Sequence, residues 1–468
     1  MAGAASSGNG TAPSGGGARS RASEGKSVCD VRADQRRRVP LLRGLVSLSD
    51  PKTAHGVIPD QGPDSQGARI DWLREHRAWR GAGACSDRDQ APRGGCRLMK
   101  GVAGRYGWRR AVKAAFLHAC RVSGVVHIFR LFAKRKLLVL CYHGFELDDE
   151  SRFRQIFTPR DSFRHQLEVL SAQKSNVVSL GEGLARLKEG RLTGNTTVIT
   201  IDDGFYGAYA VAAPLLEKFG YTATIYVSTY HVIKETPVFR LVIYYVFDFA
   251  SVPVLRVRNV AWGEDQDVDL ADRDASRRAM WQCITYGETA CNEAQRQEIA
   301  RRMSAYAGID YEHISRTRMF SYMNRGEIRD LASRGFDIQL HTHRHRFPPG
   351  DRAAACKEIE ENRGILEACT GYRPVHFCYP DGIWDRSQWA WLKEMGVESA
   401  VTSDPGLNDR RTPLLALRRF SYSPRMPDVE FAAGAAGLMP FLRPIAQPSR
   451  RGTRPLQTEE RHNGNEQK

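Results

Sequence analysis

Asp202 and Asp203 stand side by side in TVITIDDGF, Thr197 to Phe205, directly after a run of apolar and β-branched residues of strand length. Two adjacent carboxylates repel, and withdrawal from water penalises both unless a cation fixes one of them. His341 and His345 occur in HTHRH at i and i+4, a spacing that in a tight or helical turn puts two imidazoles on one side, as metal ligands require. A carboxylate oxygen and two imidazoles, with water in the open positions, suit a borderline divalent ion such as zinc. Such an ion lowers the pKa of a coordinated water to roughly 7. In that arrangement Asp203 is the ligand and Asp202 the base. Tyr379-Pro380-Asp381-Gly382 follows the apolar PVHFC, and His143 ends LLVLCYH.

Each feature alone has a plainer reading. A DDG stretch is commonly a turn or a helix cap, and YPDG reads as a β-turn; an HxxxH pair is commonly solvated. Their joint occurrence, each at the end of its own apolar run, favours chemistry.

The elements that must hold these groups alternate. LLVLCYH, NTTVITI, TATIYVS, FDIQLH, PVHFCYP and VESAVTS read as strands. Between them DSFRHQLEVLSAQ, AYAVAAPLLEKFG, SYMNRGEIRDLASRG, ACKEIEENRGILEACTG and DRSQWAWLKEMG read as helices, the first with Asp161 as its N-cap and the second ending at a glycine in the usual C′ position. Strands alternating with helices of this length predict parallel βα units, hence an α/β barrel or a doubly wound sheet. In both, ligands sit at the carboxyl ends of the strands.

The net charge of +16 is confined to one end. Residues 1–136 hold 26 Lys/Arg and 10 Asp/Glu, and the remaining 332 residues are neutral. Residues 1–98, rich in Gly, Ser, Ala and Arg, lack a hydrophobic period and are expected to be disordered; Met99 opens a stretch that would serve as a start in its own right. Residues 99–136 predict a basic amphipathic helix, with Ala111, Ala115, Phe116, Cys120, Val125, Ile128 and Phe132 mostly on one side, either packed on the domain or lying on a membrane surface. Lys113, His118, Arg121, His127 and Arg130 interrupt it as a spanning segment. Residues 446–468 read as a disordered tail. Ten scattered cysteines without a CxxC pair argue against a zinc knuckle or a disulfide framework. With no secretory signal read, the expected place is the cytoplasm or the cytoplasmic membrane surface.

The order Tyr142-His143, TIDDGF, HTHRH, FCYPDG resembles the polysaccharide deacetylases, carbohydrate esterases that share the NodB-like chitooligosaccharide deacetylase domain. The resemblance spans about 137–425 of a domain placed at 137–432, with an insertion at about 234–320. It implies a distorted, incomplete (β/α) barrel and a divalent-metal hydrolase that removes N- or O-acetyl groups from amino sugars or glycans. By similarity Asp202 is the general base, Asp203, His341 and His345 bind the metal, most simply Zn²⁺, and Thr342 shapes the turn. Tyr379 and Asp381 fall in the family's oxyanion and substrate stretch, where a backbone N–H does the work; an aspartate stands here in place of the family's second tyrosine. The late Leu-His motif that supplies a general acid in many members is missing, so His143 is the candidate acid, and Arg419 in LALRRF is expected to orient Asp202. The insertion starting KETPVFRLVIYYVFDFA is either a substrate wall or a packing helix.

Three functions of different class follow: the deacetylase, a catalytically weak glycan-binding relative, and a binder of anionic membranes or nucleic acid through the basic N-terminal third. No nucleic-acid fold is recognisable, which places specific nucleic-acid binding last.

Overall fold

The computed structural model describes residues 135–438 apart from 149, 151–155, 259–264 and 425, together with 112, 115–120 and 122–123. The expected disordered stretches 1–98 and 446–468, and most of the basic helix, lie outside the described residues. Of that helix, Leu117 and Cys120 are buried in the core whereas Phe116, expected on the apolar face, is exposed. Among the described residues no helix is long and apolar enough to cross a membrane.

Twelve strands are described: β1 (Leu138–Tyr142), β2 (Gly144–Phe145), β3 (Phe157–Thr158), β4 (Asn176–Val177), β5 (Thr196–Ile201), β6 (Thr224–Val227), β7 (Val254–Val257), β8 (Gln266–Asp269), β9 (Asp337–Leu340), β10 (His376–Cys378), β11 (Ser399–Pro405) and β12 (Leu417–Ser421). Seven of them close a parallel ring in the order β1-β12-β11-β10-β9-β6-β5, with β5 returning to β1 over five consecutive pairs from Leu138↔Thr197 to Tyr142↔Ile201. The barrel therefore has one strand fewer than a full (β/α)₈ ring. β4 pairs with the first residues of β5, Asn176↔Thr196, below the point where β6 joins at Thr200↔Thr224.

Side chains alternate along each strand. Val139, Val198, Tyr226, Cys378, Val401 and Leu417 form the barrel interior with Leu180, Leu184 and Leu187 of helix Leu180–Glu189. That helix lies against the strand beginnings: the N–H of Leu180 donates to Thr224 Oγ1 at 3.3 Å, and Gly183 lies against Val198 and Leu137. The opposite parity, Leu138, Leu140, Ile199, Ile201, Ile225, Ile338 and Leu340, packs outward on the helices.

Three local expectations differ. Asp161 sits in the first turn of helix Arg160–Ala172 and Pro159 is the N-cap, without a side-chain hydrogen bond. The segment after the DDG stretch is a π-helical turn, 208–212, leading into helix Ala213–Lys218. Pro214 accounts for this, because it has no N–H for the preceding turn and its ring displaces the carbonyl four residues back; Gly220 at φ 66° ends the helix as expected. The stretch containing Arg419, not read as a strand, is β12, which closes the ring between β1 and β11.

The insertion is helical, with helices Phe239–Phe249, Arg273–Ala290, Glu293–Tyr306 and Tyr311–Thr317 and the β7–β8 hairpin. Its aromatic stretch is a packing helix: Leu241, Val242, Ile243, Tyr244, Val246 and Phe247 are buried on all sides.

Candidate active site

The chemistry-bearing residues meet at the carboxyl ends of the strands. Asp202 and Asp203 follow β5, His341 follows β9, and Tyr379 to Gly382 follow β10. The DDG turn is pinned from two sides: Ser228, after β6, donates its N–H to the Asp203 carbonyl at 3.0 Å, and Met323 donates to the Gly204 carbonyl at 2.9 Å. Tyr206 donates to the Ser321 carbonyl at 2.8 Å, so the exit of the insertion clamps the loop. Gly204 is required there, since its φ is +91° and a Cβ would come within 2.8 Å of Val227 Cγ1.

His341 Nε2 lies 3.2 Å and His345 Nε2 3.3 Å from Asp203 Oδ1, and the ligand atoms of all three residues fall within 4.8 Å of one another. His341 Nδ1 is 2.9 Å from the Cys378 carbonyl. A carbonyl only accepts, so Nδ1 carries a proton, while Nε2 faces Asp203, donating to it in the imidazolium and offering a lone pair to a cation in the neutral ring. Asn362, on helix Arg352–Thr370, accepts from the His341 N–H at 3.0 Å and donates to the Val227 carbonyl at 2.8 Å, tying β9 to β6 at this level. The HTHRH segment is not helical. It is a tight turn in which Thr342 (φ 64°) and His345 (φ 56°) are left-handed and Thr342 Oγ1 accepts from the Arg346 N–H at 3.0 Å. Asp203 (φ 73°) and Asp381 (φ 56°) share that conformation. Among the described residues, four of the nine non-glycine residues with positive φ are thus gathered at three strand ends, each at a cost of order 1–3 kcal/mol.

Asp202 is buried beneath this group. Arg419 Nη1 donates to its Oδ1 at 2.7 Å; the guanidinium, 1% exposed, also donates to the Thr402 carbonyl at 2.8 Å and to Thr200 Oγ1 at 3.3 Å. Burial alone would raise the Asp202 carboxyl, but the charge and hydrogen bond of Arg419 outweigh it and hold the group below the ordinary carboxylate value. Asp203 is held well below it: burial opposes ionisation, and the hydrogen bonds of His341 and His345 prevail. His345 is raised to about 9, burial notwithstanding, by its hydrogen bond to Asp203 and the charges of Asp381, Asp203 and Asp202.

His143 places Nε2 3.8 Å from Asp202 Oδ2, with its side chain 37% exposed, on the open side of the carboxylate. Tyr379 differs from expectation in its side chain: the ring is buried among Phe377, Phe347 and Trp384, and its hydroxyl donates to the Leu415 carbonyl at 3.0 Å. What reaches the mouth from this stretch is the turn itself, closed by Gly382 N–H to the Tyr379 carbonyl at 3.0 Å, with Asp381 exposed.

The sequence reading overlooked Cys141 and Cys378, whose Sγ atoms lie 3.6 and 3.4 Å from Asp202 Oδ2. The signal was available in the alternation of β1 and β10, which puts both on the inward parity shared with Val139 and Arg419.

The three-residue group fits a divalent cation. Tetrahedral sites with bonds of about 2.0–2.1 Å separate their ligands by roughly 3.3 Å, and the two imidazole-to-carboxylate separations here are 3.2 and 3.3 Å. The donor set of two imidazole Nε2 atoms and a carboxylate is the kind that zinc and its neighbours take.

A barrel with a candidate metal centre at its strand ends and a buried carboxylate beside it has the layout of a metal-assisted hydrolase. Residues 290–400 match the family model described as "Polysaccharide deacetylase". The matched segment contains His341, His345 and the 379–382 turn; Asp202, Asp203 and His143 lie upstream of it. Among solved structures, the chain is similar to a Streptococcus pyogenes deacetylase, PplD, in complex with acetate, at 16% identity over 62% of this chain and 94% of that one, TM-score 0.41. It is likewise similar to IcaB from Ammonifex degensii, at 17% identity over 64% and 97%, TM-score 0.39, and to a de-N-acetylase from Aggregatibacter actinomycetemcomitans, at 12% over 62% and 97%, TM-score 0.39. Comparison with curated proteins finds no significant match.

Proposed function

We propose that the chain removes acetyl groups, chiefly N-acetyl groups, from a glycan or amino-sugar substrate, with a divalent cation, most simply Zn²⁺, held by Asp203, His341 and His345. The observation that carries this reading is the convergence of two imidazole Nε2 atoms on one Asp203 oxygen at 3.2 and 3.3 Å, next to a carboxylate that a guanidinium keeps ionised. When bound, the cation supplies Lewis acidity toward the acetyl carbonyl and the attacking water.

The chain's own residues do the rest. Asp202, ionised through the neutral range, accepts the proton of the attacking water. The backbone N–H of residue 381 is the donor assigned to the developing oxyanion; the Asp381 side chain is exposed, and its charge acts on His345. His143, on the open side of Asp202, gives a proton to the departing amine. Cell-envelope or exopolysaccharide metabolism supplies substrates of this kind.

Metal analysis of the purified full-length protein, coupled to acetate release from a panel of N-acetylated and O-acetylated glycans, tests the reading. One equivalent of divalent metal and acetate release abolished by a chelator are expected. Asp203→Ala and His341→Ala should fold, lose the metal and lose several orders of magnitude in rate. Full activity in either variant would refute the site.

A further inference from the structure

Cys141, His143 and Asp202 also bring ligand atoms within 4.8 Å of one another, which raises the question of what sulfur does at this depth. A second cation is disfavoured, because Arg419 Nη1 already neutralises the same carboxylate at 2.7 Å. The two sulfurs instead face the oxygen that Arg419 leaves open. Cys141 Sγ approaches Asp202 Oδ2 at 3.6 Å from β1, and Cys378 Sγ at 3.4 Å from β10. Arg419 Nη2 donates to Cys378 Sγ at 3.5 Å, filling that sulfur's acceptor side, so its proton is left for the carboxylate; the Tyr379 carbonyl, at 3.8 Å, is the more distant acceptor.

We propose that Cys141 and Cys378 are positioning residues for Asp202: two buried S–H donors that fix the Oδ2 edge of the carboxylate while Arg419 fixes the Oδ1 edge. This deepens the deacetylase reading, on which it rests. A carboxylate held only at Oδ1 can tilt about its Cβ–Cγ bond; held at both edges, it keeps the orientation in which it meets the proton of the attacking water. Thiols serve this place better than hydroxyls or amides because they are small, tolerate burial and donate weakly enough to leave the carboxylate basic. Burial pushes both thiols up, so each keeps the proton it donates.

The test compares Cys141→Ala, Cys378→Ala, Cys378→Ser and wild type as full-length metal-loaded protein. Expected are a fall in kcat of roughly three- to tenfold in each alanine variant, unchanged KM and metal content, and partial recovery in Cys378→Ser, which keeps a donor. A second readout does not depend on turnover: the infrared S–H stretch isolated as wild type minus Cys378→Ala should lie at lower frequency than that of Cys283, which is buried in the insertion with no carboxylate among the groups acting on it. Unchanged kcat in both alanine variants, or a Cys378 stretch coinciding with that of Cys283, would overturn the inference. If wild type itself releases no acetate, the deacetylase reading fails while the infrared comparison still judges the thiol contacts.

Discussion

At the scale of single residues, the buried pair of Asp202 and Arg419 decides most. A carboxylate and a guanidinium are both removed from water here, and deleting one partner strands the other. Arg419→Met should destabilise the fold by about 3–5 kcal/mol in chemical denaturation, and it should also lower kcat by loosening the base. The acid dependence has a definite sign. The Asp202 pKa is depressed in the fold, so its stabilisation is complete above the ordinary carboxylate range and is lost as pH falls through the lower folded value. The Arg419→Met variant should lack that acid limb; an identical limb in variant and parent would show that other carboxylates carry it. Asp202, Asp203, His341 and His345 were legible because their types and spacing are unusual in combination. Cys141 and Cys378 were not, since an isolated cysteine in an apolar run reads as a small hydrophobe until the strand parities are aligned.

At the scale of elements, β1, β5, β6, β9, β10 and β11 announce themselves as apolar runs bounded by polar loops. β12 does not, because Arg418 and Arg419 break its run, and only the barrel interior explains an inward arginine. The insertion was legible as an interruption and ambiguous as a wall; burial of its aromatic helix on all sides decides for packing. Its exit at Ser321–Met323 reaches the site by clamping the DDG turn. Beyond that turn, Gly207 opens the π-helical segment with no room for a side chain: a Cβ would stand 2.3 Å from the Phe145 carbonyl oxygen. Gly207→Ala must push the segment off β2, with a cost of about 1–3 kcal/mol read as a lowered Tm. An unchanged Tm would mean that the segment yields freely.

At the scale of the whole molecule, stability gathers contributions from groups far apart in sequence. His231, on helix Thr229–Lys234, packs its ring against Tyr230 and Tyr322, and its buried Nδ1 has no hydrogen-bond partner. Burial lowers its pKa to about 4, aided by Arg296 and His345 and opposed by Glu293. Between pH 6.5 and 4 the unfolded chain therefore binds a proton that the fold refuses, so stability falls as pH falls through this window, by about 3 kcal/mol in all. Denaturant midpoints measured from pH 7 to pH 4 should drop more steeply for wild type than for His231→Phe. Parallel profiles would exclude His231 as a source of acid sensitivity.

The ring closes only when β12 seats between β11 and β1, and the counter-ion it delivers to Asp202 lies 217 residues further along the chain. A ribosome making this protein has produced both aspartates and both metal-ligand histidines well before it reaches residue 419. Throughout that interval the nascent barrel has a gap where its last stave belongs, and the carboxylate at 202 has no buried cation to meet. Assembly of the reaction centre thus waits for β12 to be made, and a chain cut short before residue 417 would carry every ligand for the cation and still lack a finished seat for the base.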